Sequence, residues 1–210
     1  MVIKHKLFNT FDAAYVDEGV GPWDIDHPQQ AFVELVQAGR IQGTVLDAGC
    51  GTGEHALYIA QHGYAVQGID IASLAIKKAQ EKAQERGIAA QFRVFDALAL
   101  HTLGETFDTV IDSGLLHNFS DEEREQFIKG LTSIMKPGGT YFVLCFSVTL
   151  PHGFGPRGIT QTDLQALFRE GWHINSIEAS SFELNGTEYK PSAWLAAITY
   201  TGEQRGAHEA

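Results

Sequence analysis

Short apolar runs alternate with amphipathic stretches along most of this chain, and the alternation predicts strands and helices in turn. Phe32, Leu35 and Val36 recur at helical spacing, whereas Val45 and Leu46 open a short buried run. Strands are predicted over residues 43–48, 64–70, 90–95, 107–112, 140–146, 172–182 and 192–201. Helices are predicted over residues 28–39, 54–62, 74–86, 120–135 and 160–169. Because strands and helices alternate until the last two strands, which adjoin, the pattern predicts an α/β protein.

Local signals mark several element ends. Ser120–Glu123 has the spacing of a capping box, and Thr160–Asp163 is predicted to cap the next helix. Ser73 is predicted to cap the helix that begins at Leu74. Lys136–Gly139 contains proline and two glycines, so it is predicted to break the chain before the fifth strand.

Length and charge narrow the class of protein. The 210 residues suffice for one domain, predicted as an arm over 1–27, a core over 28–202 and a tail over 203–210. The net charge of −11 argues against nucleic-acid partners and anionic membrane surfaces. Two cysteines without zinc spacing, no apolar signal core and no membrane-length run indicate a cytoplasmic protein without a metal site. The oligomeric state is expected to be a monomer or a homodimer.

The stretch most informative about function is Thr44–Gly53, in which an apolar run leads through Asp47 into glycines at alternate positions. Glycine lets the backbone approach a ligand closely and adopt positive φ, so the stretch predicts a turn that cradles a nucleotide. A dinucleotide fingerprint requires glycine at position 54, which is Glu54. The turn is therefore predicted to bind a cofactor without phosphates, with the acid available for a cationic ligand.

Asp47-Ala-Gly-Cys-Gly-Thr-Gly53 resembles the D-x-G-x-G-x-G motif of class I S-adenosylmethionine (AdoMet) dependent methyltransferases. The strand 107–112 and the turn Lys136–Gly139 are similar to later elements of that family, and the resemblance extends over about residues 20–200. It implies a Rossmann-like seven-stranded sheet with order 3-2-1-4-5-7-6, strand 7 antiparallel and helices on both faces. It also implies AdoMet as cofactor and S-adenosylhomocysteine (AdoHcy) as product.

The resemblance implies a set of cofactor contacts. Asp47 would lie near the amino group of AdoMet, Asp70 would accept hydrogen bonds from the ribose hydroxyls, and Asp96 with the Ala97 N–H would contact adenine. Asp70 could instead be a helix-side acid, and Asp96 could instead cap residues 97–102. The expected cofactor-binding residues are Trp23, Asp47, Gly49, Cys50, Gly51, Gly53, Asp70, Ile71, Asp96, Ala97, Asp112 and Ser113.

Residues 112–117 follow the fourth strand, so they are expected to line the methyl-transfer cavity at the carboxyl edge of the sheet. His117 could act as a base, fix the acceptor or satisfy a helix terminus. Arg157 could contact the acceptor or anchor its loop to an acid. The arm is expected to form a lid in which Trp23 shields the cofactor, with a packed surface arm as the alternative. The expected substrate-binding residues are Phe11, Tyr15, Leu116, His117, Phe146, Phe154 and Arg157.

The sequence therefore predicts an enzyme that transfers methyl from AdoMet to a small molecule by in-line displacement. The stretches 112–117 and 144–147 resemble methyltransferases of heterocyclic and phenolic compounds, which favours an aromatic O or N acceptor. Gly21–Asp24 is similar to the thiopurine, halide and thiol branch, which leaves halide or thiol methylation as the alternative. A non-catalytic AdoMet-binding module is a further alternative. A nicotinamide oxidoreductase is disfavoured because the chain lacks a Tyr-x-x-x-Lys stretch.

Overall fold

In the computed structural model, the described residues are 15, 21–147 and 156–202. Within them, seven strands form one sheet of order β3-β2-β1-β4-β5-β7-β6, as predicted. The strands are β1 (Thr44–Ala48), β2 (Ala65–Asp70), β3 (Gln91–Val94), β4 (Phe107–Ser113), β5 (Met135–Phe146), β6 (Trp172–Ser181) and β7 (Ser192–Tyr200). Strands β1 to β5 pair in parallel, and β7 lies antiparallel between β5 and β6. The predicted Rossmann-like architecture is therefore confirmed.

The helices lie close to their predicted positions. They are α1 (Gln30–Gln37), α2 (Glu54–Gln61), α3 (Ser73–Arg86), α4 (Asp121–Ile134) and α5 (Gln161–Leu167), with 3₁₀ helices at Ala97–Thr102 and Leu116–Asn118. Both capping boxes are present, because the side chains of Ser120 and Thr160 each accept a hydrogen bond from the main-chain N–H three residues later.

Two hydrophobic cores lie on opposite faces of the sheet, because successive strand residues point to opposite sides. Leu46 packs in the core beneath α4 and α5, and its neighbour Val45 packs in the core beneath α1, α2 and α3. Phe127 and Phe32 are fully buried, one in each core. Helices therefore cover both faces, and the carboxyl ends of the parallel strands form an edge between the two cores.

Two local predictions are wrong. Ser73 is the first residue of α3 rather than its cap, since Ala72 occupies the cap position and donates its N–H to Asp70 Oδ1 at 2.8 Å. The stretch 136–139 does not precede the fifth strand but lies inside it, because α4 passes directly into β5 at Met135. A register shift in the β4–β5 pairing, between Phe107 and Thr109, accommodates this stretch.

The end of the predicted arm and the residue before α1 lie against the segment that follows β6. Asn185 donates its N–H to the Pro22 carbonyl at 2.7 Å, and Gln29 exchanges two hydrogen bonds with the Glu183 main chain. None of the described helices has the length and apolar character needed to cross a membrane. Residues 1–14 and 16–20 of the predicted arm and the predicted tail lie outside the described residues, and the domain boundaries remain predictions.

Candidate active site

The turn after β1 has the backbone that its glycines predict. Gly49, Gly51 and Gly53 adopt φ of 72°, 53° and 87°, a region that side chains disfavour. A Cβ on Gly53 would lie 2.8 Å from the Phe92 ring, and one on Gly49 would lie 3.1 Å from Leu115. The turn therefore leaves no room for side chains at its two ends, and it brings main-chain atoms to the carboxyl edge.

Asp47 is a buried acid beneath this turn, only 1% exposed. Its Oδ2 accepts the Ala56 N–H at 3.2 Å, while its Oδ1 has no hydrogen-bond partner among the described residues. Burial, together with the nearby carboxyl groups of Asp112 and Asp70, raises the pKa of Asp47 to about 8. A cation beside Oδ1 would favour the ionised form, so the carboxyl group is suited to a positively charged ligand.

Asp70 ends β2 with its carboxylate held by main-chain donors. Oδ2 accepts the Gly51 N–H at 2.9 Å, and Oδ1 accepts the Ala72 N–H at 2.8 Å. A carboxylate oxygen can accept more than one hydrogen bond, so these main-chain contacts do not by themselves prevent a bond from a ligand hydroxyl. The following residue, Ile71, is also only partly buried.

Asp96 lies at the same edge, because β3 pairs in parallel with β2 and the Phe95 N–H donates to the Asp70 carbonyl at 2.9 Å. Its Oδ1 accepts the Leu98 N–H at 2.9 Å, so Asp96 caps the first 3₁₀ helix, the alternative considered above. This cap does not test the predicted contact with adenine, because adenine would be bound by the other carboxylate oxygen of Asp96 or by the side of the carboxylate that faces away from Leu98. Ala97 beside it is buried.

Tyr15 and Trp23 lie on the glycine-turn side of this edge. Trp23 donates its Nε1–H to the Tyr15 hydroxyl at 2.9 Å, and a Cβ on Gly51 would be 3.3 Å from that hydroxyl. The Tyr15 ring packs against Ala72 and Ala75. Tyr15 thus lies among the predicted cofactor residues, and its predicted acceptor contact remains a prediction. Trp23 is 47% exposed and covers Gly21.

A charged network at the start of α2 was missed by the sequence reasoning. Glu54 is 7% exposed and pairs with Lys82 at 2.7 Å and with both terminal nitrogens of Arg86 at 2.8 and 2.9 Å. Lys82 also reaches Asp26 at 3.0 Å, which ties residues before α1 to α3. The lysine and arginine are four positions apart on α3, a spacing that puts them on one face of the helix and could have signalled a shared partner.

Asp112 ends β4 completely buried, and its oxygens accept three hydrogen bonds. Oδ1 accepts the Leu115 N–H at 2.7 Å, and Oδ2 accepts the Leu116 N–H at 3.0 Å and the Tyr141 hydroxyl at 2.7 Å. Burial raises its pKa to about 7 despite these donors. The side chain fixes the turn that carries Leu116, which is buried, and Ser113, which is partly exposed.

His117 lies in an aromatic environment and is 6% exposed. Its ring stacks on Phe146 at 4.5 Å with a 3° angle and meets the Phe182 edge at 5.7 Å. Its Nδ1 accepts the Phe146 main-chain N–H at 3.1 Å. Burial and the positive charge of Arg124 lower its pKa to about 3, so the ring is neutral near pH 7. Phe182 was not among the predicted residues, because its sequence position after β6 gives no sign of this contact.

His117 also borders a cavity of about 450 Å³ next to the start of α4. Arg124 and Arg157 line it, and both pair with Asp121, so Arg157 anchors its segment to an acid. Buried Arg124 also donates its Nε–H to the Leu116 carbonyl at 3.2 Å, which holds the turn before His117. The predicted acceptor residues Phe11 and Phe154 lie outside the described residues. No cluster able to hold a metal ion occurs in the described ranges.

Comparisons with known proteins agree with this arrangement. A sequence model of the methyltransferase domain family matches residues 45–139. A 2-heptyl-1-hydroxyquinolin-4(1H)-one methyltransferase of Mycobacteroides abscessus is 33% identical over 188 residues, which cover 88% of this chain and 83% of that protein. The chain belongs to the AdoMet-dependent methyltransferases. The predicted family, cofactor and enzyme class are thereby confirmed.

Two further comparisons place this methyltransferase among small-molecule enzymes. The structure solved in work on the conversion of a disulfide bond into a thioacetal group during echinomycin biosynthesis is 38% identical, with a TM-score of 0.85 and 94% of each chain covered. Thiocyanate methyltransferase 1 of Brassica oleracea is 27% identical over 172 residues, covering 80% of this chain and 76% of that protein. The known acceptors of these relatives differ, so the acceptor here has to be argued from the site.

Proposed function

We propose that this methyltransferase binds AdoMet along the carboxyl edge of β1, β2 and β3 and methylates an O or N atom of a small aromatic acceptor beside His117. The observation that carries the cofactor part is the buried Oδ1 of Asp47, which lacks a hydrogen-bond partner among the described residues and lies beneath the glycine turn. When bound, AdoMet supplies a methyl group activated by a sulfonium centre. Its ammonium group is the cation that Asp47 would meet, directly or through water.

The residues of the glycine turn fit a ligand of this kind. The positive φ values at alternate glycines keep the main chain open to a ligand, and the carboxylate of Asp70 is already oriented by Gly51 and Ala72 for ribose hydroxyls. Glu54 is buried at the start of α2, where a dinucleotide-binding protein places its pyrophosphate. A carboxylate at that position disfavours a pyrophosphate there, and AdoMet carries no phosphate.

An aromatic acceptor is supported by the side chains around His117. His117, Phe146 and Phe182 form a buried aromatic cluster, and His117 also borders, with Phe119, the adjacent cavity, which has room for a small molecule. The quinolone acted on by the M. abscessus relative is an acceptor of this type.

Sulfur methylation is the second candidate, favoured by the 38% identity to the protein from the disulfide-to-thioacetal work and by the thiocyanate methyltransferase. A thiol or thiocyanate needs the same in-line approach to the methyl group, so the fold supports both. The methylated product distinguishes the two candidate functions. Labelled AdoMet offered with hydroxyquinolones, phenols, thiols and thiocyanate should yield a methylated aromatic O or N compound, and exclusive labelling of sulfur acceptors would select the alternative.

Calorimetry with AdoHcy tests the cofactor site. Asp70→Ala removes the expected ribose partner, and Gly51→Ala puts a Cβ into the turn 3.3 Å from the Tyr15 hydroxyl. Asp70→Ala should weaken binding at least about tenfold, the loss of one charged hydrogen bond. Gly51→Ala should also weaken binding, because the added Cβ strains a positive-φ position in the turn. Gly63→Ala is the matched control, because Gly63 has φ of 89° but nothing within 4 Å of an added Cβ. Equal affinity of all four proteins, or no AdoHcy binding by any, would refute the assignment.

A further inference from the structure

The tautomer of His117 is fixed by a main-chain hydrogen bond. The Phe146 N–H can only donate, and Nδ1 receives it at 3.1 Å, so Nδ1 must carry its lone pair. In a neutral imidazole the proton is then on Nε2. For Nε2 to act as a base, it would have to lose that proton, and Nδ1 would have to gain one facing the Phe146 N–H. The geometry therefore opposes a base at Nε2.

The same geometry leaves Nε2–H available as a donor. It has no hydrogen-bond partner within the described residues, although the ring is 6% exposed. It lies against Gly114, where an added Cβ would be 3.3 Å from Nε2, so the glycine keeps space open in front of the nitrogen. Because His117 borders the cavity of about 450 Å³, an N–H donor there without a protein partner can meet a ligand atom that accepts a hydrogen bond.

We propose that His117 holds the acceptor's nucleophilic atom through a neutral Nε2–H donor, and that the enzyme selects acceptors that ionise in solution and enter as anions. This proposal rests on the function proposed above. The lone pair of the anion forms the new bond to the methyl carbon, while the electrons of the broken S–CH₃ bond stay on sulfur. No proton has to pass to the protein. The substrate class is thus acidic hydroxyl, N-hydroxyl or thiol compounds rather than weakly acidic alcohols.

The charges near His117 are consistent with a local donor rather than a general attraction for anions. Arg124 and Arg157 face the cavity from α4 and from the segment before α5, and Asp121 and Glu122 line it as well. Two positive and two negative groups leave no net charge around the cavity. The low pKa of His117 keeps its ring neutral over the working pH range, so its protonation state does not change during turnover.

The tautomer can be tested without AdoMet. Long-range ¹H–¹⁵N spectra of the labelled full chain, with His117 assigned from its absence in His117→Gln, should show a protonated Nε2 and a bare Nδ1 between about pH 5 and pH 9. His173→Gln, a change at an exposed site on β6, is the control and should leave the His117 signals unchanged. A His117 ring that titrates near neutral pH, or that carries its proton on Nδ1, would overturn the proposal.

Kinetics provide a second test, which begins with the unmodified protein. Across ring-substituted phenols of graded acidity, kcat/KM should rise with pH, and the midpoint of the rise should equal each acceptor's own pKa.

His117→Phe keeps the stacking but loses the donor, and should lower kcat/KM for the anions about 10- to 100-fold. One midpoint shared by all acceptors, and lost in the variant, would identify a base instead. AdoHcy calorimetry on the same samples tests the proposed function separately. Loss of AdoHcy binding would refute that function, whereas the spectra report the tautomer of His117 whether or not AdoHcy binds.

Discussion

Replacing Asp47 with asparagine is expected to stabilise the protein above about pH 4, with an effect that grows until about pH 8 and is constant above it. Asparagine keeps an oxygen for the Ala56 N–H and has nearly the same shape, but it cannot ionise. The natural carboxyl group is buried with one oxygen lacking a hydrogen-bond partner in the described part of the chain, and its ionisation costs free energy that the rest of the fold must supply.

The magnitude follows from the pKa of Asp47, which rises from 3.8 to about 8 on folding. The folded state therefore binds more protons than the unfolded state between these values, and stability falls as pH rises through the interval. A shift of about four pH units at ~1.4 kcal/mol each sets a ceiling of about 6 kcal/mol above pH 8. Allowing for relaxation around the charge, we expect Asp47→Asn to gain at least ~2 kcal/mol there, or about 5 °C in Tm.

Thermal unfolding of both proteins, followed by circular dichroism between about pH 5 and pH 9, measures this difference. Asp108→Asn is a control of opposite sign, because Lys136 and the Thr44 N–H lower the pKa of Asp108 to about 2. Its removal should lower stability above about pH 4 and matter less as pH falls toward 2. If Asp47→Asn and the natural protein show parallel stability curves, the carboxyl group is not ionising in a desolvated site and the reasoning is wrong.

Three other substitutions test separate contacts. Tyr141→Phe removes the hydroxyl that donates to Asp112, so it should cost about 1–3 kcal/mol in urea unfolding, and an unchanged midpoint would show that the Tyr141 bond contributes nothing. Glu54→Gln leaves Lys82 without its closest carboxylate and should cost about 1–3 kcal/mol, more at low salt than at high salt; salt independence would contradict an ionic origin. Ser120→Ala removes the α4 capping box and should cost about 1 kcal/mol, whereas no loss would mean that water replaces the cap.

Local chemistry made much of the fold predictable. The capping box at Ser120 and the glycines of the turn depend on contacts within a few residues, so short patterns locate them. The alternation of apolar runs gave the strands to within a few residues, and the family resemblance supplied their order. The error at 136–139 has a physical source: proline and glycine usually end strands, but the register shift beside Thr109 admits them inside β5.

The site was less predictable, because its properties depend on residues far apart in sequence. The state of His117 is set by the main chain of Phe146, 29 residues away, and the position of Tyr15 beside Gly51 is set by tertiary packing. A histidine after the fourth strand is compatible with a base, a donor or a structural residue. Only the direction of the hydrogen bond at Nδ1 distinguishes these roles.

The free-energy cost of ionising buried Asp47 is connected with cofactor binding through electrostatics. Three carboxyl groups, those of Asp47, Asp70 and Asp112, meet at one edge of the sheet, and burial together with their mutual repulsion raises the pKa of Asp47. A ligand cation there would favour ionised Asp47 and recover part of the burial cost. AdoHcy, which retains the ammonium group, should therefore bind more tightly as pH rises toward about 8, and the advantage of the natural protein over Asp47→Asn should grow with it. An affinity difference independent of pH would place the ammonium group away from Asp47 while leaving the stability argument intact.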